Sequence, residues 1–331
     1  MASGGEPQVR IIILSALPIL IIFTVLFFAL KKRPEVSRAA TKNLKVLTYA
    51  AFLNAWGPGP IIAKKFQEQS GIQIEFIDAG DAGLLLKKLA LFKADVVLGL
   101  DQFGIAQRDP NIKWQSRFQA IDWSPMTFIY RKGEIDPPKN LDDLLDARFE
   151  NKISLSDPRT STPGLQFLLW ILREKGRDQG FKFLKKLKKN IAFVGPSWSS
   201  SYGHFKKKQS QLVFSYFTSP VYHWTEENNF SYQAAVLKEK MPIQVEFAVI
   251  SAGAENLENA KGFMSFLMEE ETQKVIMKKN FMLPIKKESA RQSPFERLSL
   301  SYVIESEMQG EKNPTEAELS QLFAEWQAIG I

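Results

Sequence analysis

The stretch Lys93-Ala94-Asp95-Val96-Val97-Leu98-Gly99-Leu100-Asp101 decides the fold. Its apolar run is short, bounded by charge and closed by an aspartate, so Ala94 to Leu100 reads as a buried strand. Working back from it, Leu84 to Leu91 has helical spacing and Ile72 to Ile77 alternates as a strand. Ile61 to Gln69 reads as a helix stopped at Gly71, where a left-handed C-cap belongs. Leu44 to Tyr49 is a first strand. A β-α-β-α-β order of this kind builds a parallel sheet with helices on its faces, an α/β architecture.

Working forward, Met126 to Tyr130 reads as a strand that crosses into a second lobe, followed by a helix at Leu141 to Leu145 and a strand at Ile153 to Leu155. That strand leads into Asp157-Pro158-Arg159-Thr160-Ser161-Thr162-Pro163-Gly164, a loop-to-helix junction. Thr162 or Ser161 suits the N-cap, Pro163 the first helical position, and Leu165, Leu168, Leu169 and Leu172 recur at helical spacing. Free N–H groups beside two hydroxyls and an arginine can hold an anion, although a plain capped helix is the commoner meaning of such a pattern. Further strands are expected at Ile191 to Val194 and Leu212 to Tyr216. Ile243 to Ser251 reads as an apolar strand returning the chain to the first lobe. Helices follow at Glu258 to Met268 and Glu270 to Lys278. The tail from Thr315 to Ile329 is amphipathic through Leu319, Leu322, Phe323 and Trp326. The organisation expected is 1–43 as N-terminal anchor or signal plus linker, 44–125 with 248–290 as lobe 1, 126–247 as lobe 2, and 291–331 as a helical tail.

Composition narrows the chemistry. The chain has 331 residues, enough for two domains, and no cysteine, which removes disulfides, thiolate metal sites and cysteine nucleophiles. The two histidines, His204 and His223, leave little material for a metal site or a histidine-based triad. The net charge of +7 could mean nucleic acid. However, the lysines around Phe181, Leu184 and Leu187 read as the solvated face of a helix, and no basic motif interleaved with aromatics occurs, so no nucleic-acid partner is expected.

Ile11 to Leu30 is an uncharged apolar run flanked by Arg10 and by Lys31-Lys32-Arg33. At about 1.5 Å per residue it spans about 30 Å, the hydrocarbon thickness of a bilayer. It reads as a transmembrane or signal helix at the inner membrane, more an uncleaved anchor than a signal, since the small residues Ser37-Arg38-Ala39 lie far beyond it. The positive-inside rule would hold the three basic residues in the cytoplasm, against the function argued below.

In sheets of this class ligands sit beyond the carboxyl ends of the strands. The loops there carry Tyr49, Trp56, Trp198, Tyr202, Tyr216 and Tyr222, the acids Asp78, Asp81 and Asp101, and the hydroxyls of Ser161, Thr162, Ser199, Ser201, Thr218 and Ser219. Aromatic faces take flat or cationic ligands, carboxylates select a positive group, and a helix start favours a negative one.

Several ordered stretches carry a family resemblance: Leu47-Thr48-Tyr49, Trp56-Gly57-Pro58-Gly59-Pro60, Lys93 through Asp101, Asp157 through Leu165, and Trp198-Ser199-Ser200-Ser201-Tyr202-Gly203. Ser215-Tyr216-Phe217-Thr218-Ser219-Pro220, Tyr222-His223 and Gln244-Val245-Glu246 complete the set. From Leu44 to about Ala290 the chain resembles the thiamine-binding periplasmic proteins of bacterial ABC importers, which have the two-lobed type II periplasmic-binding fold with hinge strands. The resemblance implies a periplasmic, non-enzymatic protein with no cofactor, which passes thiamine, thiamine phosphate or thiamine diphosphate to an ABC-transporter permease. It implies that Tyr49, Trp56, Trp198, Tyr216 and Tyr222 sandwich the two rings and that Asp81 meets a positive or polar part of the ligand. Ser161 and Thr162 would take a phosphate, and Ser219 and Phe281 belong to the same site. Two departures stand out. The family's Tyr-Asp pair is Tyr49-Ala50 here, and its Asn-Trp-Met-Tyr-Pro is Asn280-Phe281-Met282-Leu283-Pro284. The alternatives are a type II binder of a polyamine or ferric iron, and a thiamine-processing enzyme, which would lack its cysteine nucleophile.

Overall fold

The computed structural model describes residue 1 and residues 43–106, 112–298 and 314–331. The apolar span from 11 to 30 and its linker up to residue 42 lie outside these, and among the described residues no helix is long and apolar enough to cross a membrane.

Strand β1 (Leu44–Thr48) lies between β2 (Ile74–Asp78) and β3 (Val96–Asp101), parallel to both, as the sequence order implies. Val96, Val97 and Leu98 have no exposed surface. Burial of each such side chain contributes about 1.5–3 kcal/mol, which explains why this run holds the middle of the sheet. The short helix α1 (Ala50–Leu53) and α2 (Gly59–Ser70) connect β1 to β2. Helix α2 ends at Gly71, whose φ of 76° is the left-handed cap expected from the sequence. A 3-10 turn and the short α3 (Leu85–Leu89) precede β3, and α4 (Gln102–Ala106) follows it.

The crossing strand is longer than Met126 to Tyr130. β4 runs from Gln119 to Arg131. The segment expected as a helix at Leu141 to Leu145 is a single 3-10 turn, which ends where Asp146 turns extended. Then come β5 (Ile153–Ser156), α5 (Thr162–Lys175), α6 (Arg177–Leu187), β6 (Ile191–Gly195), α7 (Trp198–Lys206), β7 (Leu212–Tyr216), α8 (Pro220–Glu226), β8 (Tyr232–Ala234) and β9 (Ile243–Ile250). Helices α9 (Leu257–Leu267) and α10 (Glu270–Asn280), the two-residue β10 (Leu283–Pro284) and α11 (Glu316–Ala328) complete the described chain.

The strands form one path, β2-β1-β3-β9-β4-β7-β5-β6. β4 serves two halves of it. Gln119 to Pro125 pairs antiparallel with β9, whereas Met126 to Tyr130 pairs with β7 and Ile129 to Arg131 with β8. The first half carries the core around Val46, Phe52, Phe66 and Phe263, and the second the core around Phe128, Phe167, Trp170 and Phe214. These are the two lobes. The chain crosses between them at Pro125–Met126 and at Ile243, where the Met126 N–H donates to the Pro242 carbonyl at 2.8 Å.

Candidate functional site

A cavity of about 480 Å³ opens where the lobes face each other. Tyr49, Trp56 and Asp81 reach it from the first lobe, and Trp198, Tyr216, Ser219 and Tyr222 from the second. Phe281 enters from the end of α10. Eight of the ten residues singled out in the sequence therefore line one cavity; Ser161 and Thr162 do not.

Helix α5 starts at Thr162 with Ser161 as N-cap, so Pro163 is its second residue and not its first. The Ser161 side chain does not cap the helix, and both hydroxyl residues are 2% exposed. The Thr162 hydroxyl donates to Asp101 Oδ2 at 2.5 Å, so it already has an acceptor away from the cavity. The glycine of this junction leaves room for the chain itself. A Cβ on Gly164 would lie 2.3 Å from the Ser156 carbonyl oxygen and 2.6 Å from the Asp157 carbonyl carbon. Arg159 is also engaged, in a bidentate pair with Asp157. The anion-binding helix start is therefore turned inward as packing, and Pro163 alone of this junction lines the cavity.

Two segments read as strand-end loops are helical from their first aromatic or proline. Ser197 caps α7, its hydroxyl accepting from the Ser200 N–H at 3.2 Å. Trp198 is then held from three sides. Its indole N–H donates to Ser215 Oγ at 2.9 Å, its ring stacks on Tyr202 at 5.2 Å, and its backbone N–H donates to Asp81 Oδ2 at 3.1 Å. The last bond crosses the cleft. Together with the Thr162–Asp101 bond and the close approach of Gly83 to the Thr160 carbonyl, it brings the rims of the lobes into contact. On the far wall Tyr222 meets Phe281 edge to face at 5.3 Å, and Lys206 lies over the Tyr222 ring at 4.7 Å while pairing with Glu227 at 2.8 Å. Trp56 is 48% exposed at the mouth.

The floor is acidic through Glu246, with Asp122 and Asp101 on the strands beside it and behind the cavity wall. Tyr49 lies against β3 because Gly99 has no side chain; a Cβ there would meet Tyr49 Cε1 at 2.3 Å, and φ at Gly99 is +93°. The Tyr49 hydroxyl donates to Glu246 Oε2 at 2.7 Å, and the Asn280 amide donates to Asp122 Oδ2 at 2.8 Å. Burial pushes the Glu246 carboxyl well above its ordinary range, and the neighbouring Asp122 pushes it further. Burial raises Asp122 to about 7 against the Asn280 bond, and raises Asp101 against the bond from Thr162. Asp81 is raised by burial too, opposed by the N–H groups of Gly83 and Trp198. The phenols of Tyr49 and Tyr216 are pushed up by burial and then by the charge of Glu246, so both rings stay neutral. Among the described residues no cluster of histidine, aspartate or glutamate suits a metal ion.

A closed cleft of aromatic walls over an acidic floor, held between lobes on crossing strands, is a ligand trap. The profile of the bacterial extracellular solute-binding proteins matches residues 101–299. The chain belongs to this family. Thiamine-binding periplasmic proteins of Escherichia coli K12 and Haemophilus influenzae are 35% and 34% identical to this solute-binding protein, over 73% and 74% of its chain and 80% of theirs. A solved periplasmic thiamin-binding protein matches it with a TM-score of 0.75 at 31% identity, covering 87% of this chain and 96% of its own. Iron-bound HitA from Pseudomonas aeruginosa, at 18% identity and a TM-score of 0.61, covers 87% of this chain and 99% of its own and shares the fold alone. The two-lobed periplasmic-binding architecture expected from the sequence is thus found, and the relatives matched here carry the name of the family that the chain resembles.

The solute-binding protein also places Glu246, Asn280, Lys206 and Met282 on the cavity wall, to which the sequence reading assigned no role. Glu246 did leave a signal, an acid inside the apolar strand Ile243 to Ser251. Asn280 heads a stretch that matches the family but drew no role, and Lys206 left no signal, since it sits at a helix end where polar residues are ordinary. The two histidines are packing groups. His204 stacks on Phe193 at 4.5 Å, and His223, lowered by burial to about 4, stacks on Tyr232 at 3.4 Å.

Proposed function

We propose that this chain is the substrate-binding component of an ABC importer that takes up thiamine, thiamine phosphate or thiamine diphosphate and delivers it to a permease. The observation that carries the reading is the cavity itself. Trp198, Tyr216, Tyr222, Phe281 and Tyr49 offer aromatic faces on both sides of the cleft, and the acids beneath them suit a ligand with a flat ring and a fixed positive charge. The names and identities of the relatives agree with it. Residues 44–125 with 243–290, the return crossing lying earlier than the expected 248, and residues 126–242 would close on the ligand about the crossing strands. The span from 11 to 30 would hold the protein at the inner membrane, facing the periplasm. No cofactor is needed and no reaction is assigned. The chain lacks cysteine, and both histidines are held in packed contacts.

Calorimetric titration of the full chain with thiamine and each phosphate ester tests this directly. Saturable binding is expected, and no heat with any of the three at high micromolar concentration would sink the reading. Spermidine and ferric iron serve as competitors, and displacement of thiamine by neither is expected. Within the site, Trp198→Ala should weaken thiamine binding by about 1–3 kcal/mol, the range for loss of an aromatic stacking face. An unchanged Kd in a folded variant would remove Trp198 from the ligand.

A further inference from the structure

Three acids stand in one cross-strand row. In the register of the central strands Glu246 on β9 faces Asp101 on β3 on one side and Asp122 on β4 on the other. Residues directly opposite in adjacent strands point to the same face of a sheet, so the three carboxyls share one side. All are buried, at 7%, 3% and 0% exposure for Asp101, Glu246 and Asp122. Like charges directly opposed in this way repel, and burial removes the water that would screen them.

The groups around the row do not neutralise it. From the turn after β1 comes the Tyr49 hydroxyl and from α10 the Asn280 amide, both neutral. From β7 comes the Tyr216 phenol, neutral as well. From α5 Thr162 donates to Asp101, and beyond it lies another acid, Asp81. The cation that reaches the cavity wall, Lys206, pairs with Glu227 and Tyr222 on the far side. Among the described residues no lysine or arginine forms an ion pair with Asp101, Asp122 or Glu246. One oxygen of Asp122, Oδ1, is buried with no hydrogen-bond partner. Such a row can be buried in only two ways: with a proton on it, or with a cation against it.

We propose that the row Asp101–Glu246–Asp122 is the charge-recognising floor of the cavity, and that an organic cation settling over it displaces to solvent a proton held by the Asp122–Glu246 pair. This rests on the thiamine reading, in which the thiazolium ring brings the fixed charge. Glu246 lines the cavity and meets the ligand; Asp122 lies behind it and acts through it, as a positioning and charge-setting residue. In the empty cleft the shared proton removes the repulsion. In the loaded cleft the ligand's charge does so, and the proton is no longer favoured. A neutral ligand would gain nothing from this exchange, so the row selects for charge as well as binding it.

Proton linkage gives a readout that simple stacking does not. Titration of the full chain with thiamine at pH 7, in buffers of different ionisation enthalpy, should show release of about half a proton per ligand, the fraction still held by a group titrating near 7. Kd should fall by about tenfold between pH 6 and pH 8. Asp122→Asn keeps the shape of the carboxyl and removes the charge; its release should drop toward zero and its Kd should lose the pH slope. Thiamine binding with buffer-independent heat and a flat Kd overturns the inference and leaves the thiamine reading standing, as does proton uptake. Undiminished release in Asp122→Asn overturns the part assigned to Asp122. Absence of thiamine binding in every buffer overturns both. The wild-type pH series decides the matter even if Asp122→Asn does not fold.

Discussion

Trp326→Ala is expected to destabilise the protein by about 3–5 kcal/mol, the range for removing a fully buried tryptophan. Trp326 lies on α11 with no exposed surface, in the buried cluster of the second lobe that also holds Phe149, Leu184 and Leu187. The helix brings Leu319, Leu322 and Trp326 to the fold, each under a tenth exposed, together with the partly buried Phe323. Its other ties are weaker. Thr315 and Glu318 form a capping box, which holds the helix start but not its position. Arg177 pairs with Glu325 at the surface, where such pairs contribute little. With the indole gone, the remaining contacts of α11 do not compensate for ordering the segment. Trp326→Phe should lose much less. The indole N–H is buried without a partner, so the phenyl ring keeps most of the packing and removes a desolvated donor. Denaturant unfolding of both variants checks this. A loss under about 1 kcal/mol for Trp326→Ala would mean that α11 contributes little to the second lobe.

How far the sequence could be read depends on where each signal lies along the chain. Local patterns were legible. The apolar run at Val96-Val97-Leu98, the Gly71 cap and the amphipathic tail each state their structure within a dozen residues, and each formed as expected. The helix α7 was missed because Trp198-Ser199-Ser200-Ser201 has no apolar period. What makes it helical is the Ser197 cap and the burial of Tyr202 and Phe205 against distant strands. The start of α5 was legible as a helix end but not in its direction. Nothing local shows that Thr162 meets Asp101, 61 residues away. The acid row is the extreme case. Asp101, Asp122 and Glu246 lie on three strands, and β9 enters between β3 and β4 only in the folded sheet. Tyr49, Trp198, Tyr216 and Tyr222 are placed by the strand order on loops beyond the carboxyl ends of the strands, and the family resemblance then gives them the role of sandwiching the ligand rings.

Asp122→Asn is expected to gain stability relative to the unmodified chain as the pH rises, by on the order of 4 kcal/mol between pH 4 and pH 8 in the absence of ligand. Burial raises the Asp122 carboxyl from 3.8 to about 7 in the folded protein. Between these values the folded state holds a proton that the unfolded state has lost, so stability falls as pH rises through the window and levels off above it. Each pH unit inside the window corresponds to about 1.4 kcal/mol. Glu246, raised in the same direction, continues the fall at higher pH. The total stability of the chain does not show this cleanly, because His223 works against it. Its imidazole is lowered from 6.5 to about 4, so the unfolded state binds the extra proton there and stability rises with pH between those values. Comparing the two proteins cancels His223, which they share. At pH 4 the amide and the protonated acid are near equivalents and the two unfolding curves should nearly coincide. At pH 8 the unmodified chain buries a charge opposite Glu246 that the variant does not, and its midpoint should fall behind. Curves that stay parallel from pH 4 to pH 8 would mean that Asp122 is charged throughout, with a counter-charge already beside it. Saturating thiamine should shrink the gap at pH 8, since the cation supplies to the acid row what the proton supplies at pH 4.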